Sequence, residues 1–304
     1  MDFHNYNQMS EVHHHHHHPA QGRAFAIGIG LNLAFVGVEV FYGLVANSSA
    51  LLADAGHNAS DVLGLFFAWV AFRLANLKPR GKYTYGWQRS TILSSILNAI
   101  LLFIAVFFIA KDAILKLSDP RPVAGASVMM VAGIGVVVNT ITALLFIKGQ
   151  KSDLNIKGAF LHMAADAAVS LGVVLAGWLI TVTGLQWIDP AVSFVIIAVV
   201  LWGTWSLFVD SLNLALDAAP KDINVGDVRS ALKNFPGVED AHDLHVWALS
   251  TNQTAISVHL VVPHGGGDSF LADIQNMLRR EFNISHATIQ VEKNKNNQIE
   301  CAHP

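Results

Sequence analysis

Two short stretches decide the fold: Leu52-Ala53-Asp54-Ala55-Gly56-His57-Asn58-Ala59-Ser60-Asp61, inside the apolar run 50–75, and His162-Met163-Ala164-Ala165-Asp166, inside the apolar run 156–183. Each carries a His-x-x-x-Asp pair. Ionisable groups at membrane depth are expensive, about 2.5–3.5 kcal/mol each on insertion scales, so where they occur they mark function. Residues at i and i+4 share one helix face, with Cβ atoms about 5–6 Å apart. Each pair therefore reads as a two-ligand claw on a membrane helix.

Four further stretches are nearly free of charge: 24–45, 91–114, 124–147 and 188–212. A hydrocarbon core about 30 Å thick needs about 20 helical residues. Six spans are therefore expected. The chain is 53% hydrophobic and only 13% charged, against about 25% charged in an average soluble domain. That excludes a disordered chain and an ordinary cytosolic enzyme. A net charge of −3 offers no footprint for nucleic acid. The single cysteine, Cys301, excludes a disulfide framework and a four-cysteine zinc module. The first apolar stretch is too long for a cleavable signal peptide and lacks a small-residue cleavage site.

Loop charges set the orientation. Arg23, Lys78, Arg80, Lys82, Arg89, Lys148, Lys151 and Lys157 flank one side; Lys111, Lys116 and Arg121 flank the other. Eight against three places both termini in the cytoplasm by the positive-inside rule. His57 and Asp61 then lie roughly 10–17 Å in from the outer face, and His162 and Asp166 roughly 9–15 Å in from the inner face. The two claws reach a common level near the midplane. Two imidazoles and two carboxylates suit tetrahedral Zn²⁺. The lack of sulfur donors argues against Cu(I), and the imidazoles argue against an all-oxygen Mg²⁺ or Ca²⁺ site. A lone membrane histidine or aspartate is often a helix–helix hydrogen-bond partner; two motifs of the same order at matched depth argue for a shared cation. Among the weaker polar signals, Asp54 reads either as a support for the ligands or as an interfacial residue. Glu39 lies in the first span. Asn32 and Asn139 read as helix bridges, and Asp210 as a solvated or salt-bridged group.

After Asp217 the composition changes. Residues 217–304 hold 7 Lys/Arg against 11 Asp/Glu and read as a soluble domain. Val225–Phe235 suits a helix that Pro236-Gly237 breaks. Leu244–Trp247 and Ala255–Val262 are β-rich. Leu271, Ile274, Leu278 and Phe282 have helical spacing within Phe270–Phe282, and Ala287–Val291 reads as a last strand. The expected order is αββαβ, a small two-layer α/β domain. The domain boundaries read as an N-terminal His-containing segment over 1–22, a six-helix membrane domain over 23–213 and a cytosolic domain over 214–304. His13 to His18 reads either as a metal-gathering segment or as an affinity tag, and the flanking residues favour the former.

Asn47–His57, the paired His-x-x-x-Asp motifs, Tyr85-Gly86-Trp87-Gln88-Arg89 and His242-Asp243-Leu244-His245-Val246-Trp247 together resemble the cation diffusion facilitator family, nearest its bacterial zinc exporters, over about residues 23–292. The resemblance implies a homodimer of six-helix subunits in the inner membrane, with a metallochaperone-like cytosolic domain and zinc efflux coupled to inward proton movement. It implies His57, Asp61, His162 and Asp166 as transport ligands. It also implies a cytosolic zinc site drawn from His242, His245, His259, His286 and Glu292. His245 and His259 lie on consecutive predicted strands and could approach. A tail ligand at Cys301 or His303 stays open. A broader divalent-cation transporter (Cd²⁺, Co²⁺) and a non-transporting membrane metal sensor stay as alternatives. An intramembrane metalloprotease is excluded by the absence of His-Glu-x-x-His.

Overall fold

The computed structural model describes residues 19–147 and 154–294; His13–His18, Cys301 and His303 lie outside the described residues. Six long helices come first: α1 (Pro19–Val45), α2 (Ser49–Ala75), α3 (Ser90–Ser118), α4 (Gly125–Phe146), α5 (Leu154–Thr183) and α6 (Ile188–Ala215). They contain the six expected spans, save that the fourth is one residue shorter at each end. Five have the length and apolarity to cross a bilayer, and α1 contributes a shorter apolar segment, Gly30–Val45. Large side chains such as Trp202, 85% exposed, and Phe41, 60% exposed, cover their outer faces, as hydrocarbon-facing helices require. The protein is a polytopic helical membrane protein with a C-terminal α/β domain.

The chain divides into two compact units. The first comprises residues up to Asn58 together with 121–189, so it holds α1, the first turns of α2, α4 and α5. Asn47 turns the chain at φ 55° between α1 and α2. The first turns of α2 leave backbone N–H groups unpaired. Asp189, fully buried, supplies the acceptor: it takes hydrogen bonds from the Ser48 hydroxyl, from the Ser49 N–H at 2.7 Å and from the Ala50 N–H at 3.4 Å. Helices α4 and α5 meet backbone to backbone. A Cβ on Gly177 would lie 2.8 Å from both the Gly125 carbonyl oxygen and the Met129 nitrogen. Gly177→Val is therefore expected to lower stability by about 1–3 kcal/mol through overpacking, read as an earlier thermal transition of the detergent-solubilised protein.

The second unit comprises residues 59–120 and 190–304. Where its helices meet the C-terminal domain, Arg89 ahead of α3 pairs with Asp217 just after α6. The Thr251 N–H donates to the Thr91 hydroxyl at 3.1 Å, and Lys221 pairs with Asp210 at 2.5 Å. Asp210 is thus salt-bridged, one of its two expected states. The C-terminal domain has the expected order: α7 (Val225–Lys233), β1 (Asp240–Ser250), β2 (Gln253–Val261), α8 (Asp268–Phe282) and β3 (Ile284–Glu292). Asn224 caps α7 by accepting from the Gly226 N–H, and Asn283 ends α8 in the left-handed region at φ 54°. Central strand β2 pairs antiparallel with β1 and parallel with β3. Val228, Leu232, Val246, Ile256, Val258, Leu260, Ile274 and Leu278 form the core between sheet and helices.

Candidate metal centres

Three of the four membrane ligand candidates lie in the first unit and come together. Asp166, 1% exposed, stands one helical turn beyond His162 on α5. His57 on α2 puts Nε2 3.1 Å from Asp166 Oδ1, and His162 puts Nε2 3.7 Å from Asp166 Oδ2. The two imidazole rings are 6.0 Å apart at 73°. Asp166 Oδ2 is buried without a hydrogen-bond partner among the described residues. A buried carboxylate oxygen left unpaired between two imidazoles is a costly arrangement unless a cation or a proton completes it. Asp61 follows His57 by one turn of α2, and those two side chains hold their donor atoms within 4.8 Å.

The weaker polar signals resolve unevenly. Asp54 is fully buried and accepts from the Ser170 hydroxyl at 2.9 Å. Ser170 lies one turn beyond Asp166 on α5. Asn32 does bridge helices, donating to Met163 Sδ at 3.7 Å. Asn139 is buried with neither side-chain polar atom hydrogen-bonded among the described residues, so the expected bridge is not formed.

The second cluster lies on the C-terminal sheet. His242 stands directly opposite His259, and β1 then bulges, since His245 pairs with Ser257. Asp243, at φ 49°, occupies the bulge. A bulge adds one residue to one strand and so re-aims the side chains beyond it. His259 thus faces His242 rather than His245, the neighbour that strand order alone suggested. His259 Nδ1 lies 3.1 Å from Glu292 Oε1, and His242 Nε2 lies 3.3 Å from Glu292 Oε2. Both ring nitrogens of His242 and Glu292 Oε2 lack an aligned hydrogen bond. Donor atoms of His242, His259 and Glu292 all fall within 4.8 Å of one another, a ligand-like convergence. His245 is half-exposed and sits 3.0 Å from Asp243 Oδ1, while Asp243 Oδ2 is 3.5 Å from His259. His286 is exposed, its ring 5.6 Å from that of Tyr85. Neither His245 nor His286 joins the three-residue group. Sequence reading missed Asp243. The His-Asp-Leu-His run contained it, but only the bulge turns it toward His259.

Helices carrying His/Asp claws that meet at a buried Asp166, and a small α/β domain with its own His/Glu cluster, define a membrane metal-cation transporter in two parts. Residues 25–214 match the family model described as the cation efflux transmembrane domain, and residues 220–294 match the cation efflux protein cytoplasmic domain. The chain belongs to the cation efflux, or cation diffusion facilitator, family. It is 35% identical over 272 residues to the metal cation efflux system protein CzcD of Cupriavidus metallidurans, covering 89% of this chain and 86% of the relative. It is 33% identical to a cadmium, cobalt and zinc/H(+)-K(+) antiporter of Bacillus subtilis, covering 95% of each. It is 34% identical to the zinc transporter ZitB of Escherichia coli, covering 89% of this chain and 87% of the relative.

Proposed function

We propose that this chain exports Zn²⁺ from the bacterial cytoplasm by exchange for protons, working as a homodimer in the inner membrane with both termini in the cytoplasm. Residues 23–213 form the transport domain and 214–304 the regulatory one. The observation that carries the reading is the convergence of His57 and His162 on the buried carboxylate of Asp166. Together with Asp61, one turn from His57, these groups are the ion's ligands near the midplane. Zinc binds neutral imidazole and ionised carboxylate, so loading displaces protons. Histidine titrates near pH 6–7. A site opened to a more acidic exterior therefore protonates His57 or His162 and lets the metal go. Access alternates by helix rocking around a fixed midplane site.

The test is counterflow of radiolabelled zinc in proteoliposomes under an imposed pH step. Zinc should accumulate on the acidic side, and collapse of the step should abolish accumulation. Flux indifferent to the step refutes exchange for protons.

A broader substrate range has its own support, since the Bacillus subtilis relative is named for cadmium and cobalt as well as zinc. Two imidazoles and two carboxylates accept those ions in similar geometry, and affinity alone does not separate them. Competition of Cd²⁺ and Co²⁺ with zinc flux measures the range.

The cytosolic cluster is proposed as a regulatory zinc site, His242, His259 and Glu292 being the ligands, with Asp243 orienting His259. Glu292→Ala is expected to remove one bound zinc per chain in equilibrium dialysis of the full-length protein. At low zinc it should reduce flux by less than the loss of a membrane ligand does.

A further inference from the structure

Beyond the four proposed ligands, the first unit buries a second pair of carboxyl groups that the exchange cycle above does not use. Glu39 on α1 and Asp54 on α2 are both fully buried. Glu39 Oε2 accepts from the Asn58 amide at 3.0 Å, and Asp54 Oδ2 accepts from the Ser170 hydroxyl at 2.9 Å. Their other oxygens, Glu39 Oε1 and Asp54 Oδ1, meet no amide, hydroxyl or ammonium donor among the described residues. Asn58, which holds Glu39, stands one turn beyond Asp54 on α2, so the two carboxyl groups lie close together and act on each other electrostatically. An ionised carboxylate only accepts hydrogen bonds. A hydrogen bond between two carboxyl groups therefore requires a proton, and two adjacent buried carboxyls titrate as one unit.

We propose that Glu39 and Asp54 form a dedicated proton-binding site, separate from the four metal ligands, that holds one shared proton when the metal is absent and gives it up when the metal is bound. The inference rests on the proton-exchange reading. The other titratable groups facing the pair are His57 from α2 and Asp166 from α5. Asp54 lies three residues before His57, about 4.5 Å along α2, and Ser170 lies four beyond Asp166, about 6 Å along α5. With α2 entering from outside and α5 from inside, both steps lead from the ligands toward the exterior, the side from which protons come. Arrival of a dication at His57 and Asp166 makes the shared proton unfavourable. The O–H bond then breaks, the proton passes to water, and two carboxylates remain to offset the ion's charge. Departure of the ion reverses the step.

The test uses the full-length protein. Infrared difference spectra with and without zinc, in H₂O and D₂O, should show a protonated-carboxyl C=O band that is lost on zinc binding and absent from both Glu39→Gln and Asp54→Asn. At saturating zinc both variants should bind as much metal per chain as the wild type, with a weaker affinity, since a neutral group replaces a carboxylate that offsets the ion's charge. In proteoliposomes the stimulation of zinc flux by a proton gradient should fall by about half, as one of two proton-binding centres is gone. A band missing from the wild type, or persisting in both variants, overturns the proposal. So does a lower zinc stoichiometry at saturation in either variant, which would make the pair a metal site. If wild-type flux ignores the proton gradient, the exchange reading fails, while the infrared band still decides whether the pair holds a proton.

Discussion

Asp166→Ala is expected to lower zinc flux at subsaturating zinc about 100-fold, with the protein still folded and dimeric. The size follows from its place. Four-ligand zinc sites yield apparent binding free energies of roughly 10–16 kcal/mol, so one ligand in four carries about 3 kcal/mol, or two decades in affinity. Asp166 is the residue toward which both imidazoles point, at 3.1 and 3.7 Å, and it is 1% exposed. Asp166→Asn separates charge from shape. Its amide keeps the volume and turns a donor or a weak carbonyl acceptor toward the ion, so it should remain at least about tenfold impaired. Initial-rate zinc uptake in proteoliposomes reads both variants, with size-exclusion profiles as the control for fold. Flux within twofold of wild type in both variants would remove Asp166 from the ligand set.

Asp189→Ala should be the most destabilising single change in the membrane part. Its carboxylate is fully buried and holds the Ser48 hydroxyl and the N–H groups of Ser49 and Ala50 at the start of α2. A buried donor left unpaired costs about 1–3 kcal/mol, and an anion at a helix N-terminus adds a favourable charge–dipole contribution of about 0.3–1 kcal/mol. Allowing for relaxation among the three donors, the loss should be about 3–5 kcal/mol. At about 2–4 °C per kcal/mol for a chain of this size class, the thermal midpoint should fall by about 6–20 °C. Asp189→Asn keeps an acceptor oxygen and should lose less than half as much. Equal losses in both variants would mean that the charge, not the acceptor geometry, does the holding. Thermal scans of the purified protein with intrinsic tryptophan fluorescence distinguish the two.

The membrane helices were legible because a span is set by length and apolarity, which need no partner to read. Their limits agree with the expected runs to within a few residues at most ends. The soluble domain was legible in order but not in extent. Strand β1 begins at Asp240, ahead of the expected Leu244, because three of its first four residues, Asp240, His242 and Asp243, are polar and lie beside the bulge rather than in an alternating apolar run. Likewise β3 starts at Ile284, where Ser285 and His286 hide the strand from a hydrophobicity reading. The His-x-x-x-Asp claws could be read because i and i+4 spacing fixes a helix face before any tertiary contact forms. Asp189 at the start of α2, Asp243 across from His259, and the pairing of Glu39 with Asp54 could not. Each depends on residues 15 to 141 positions apart in sequence meeting in space.

Zinc X-ray absorption on the full-length protein carrying His242→Ala and Glu292→Ala, and with His13 to His18 replaced by alanine, so that only the membrane site is loaded, tests the central claim directly. The account predicts one four-coordinate zinc per chain with two imidazoles and two oxygens at about 2.0–2.2 Å, and loss of the imidazole signal when His57 and His162 are both replaced by alanine. A shell without imidazole, or one unchanged by that double replacement, would contradict it.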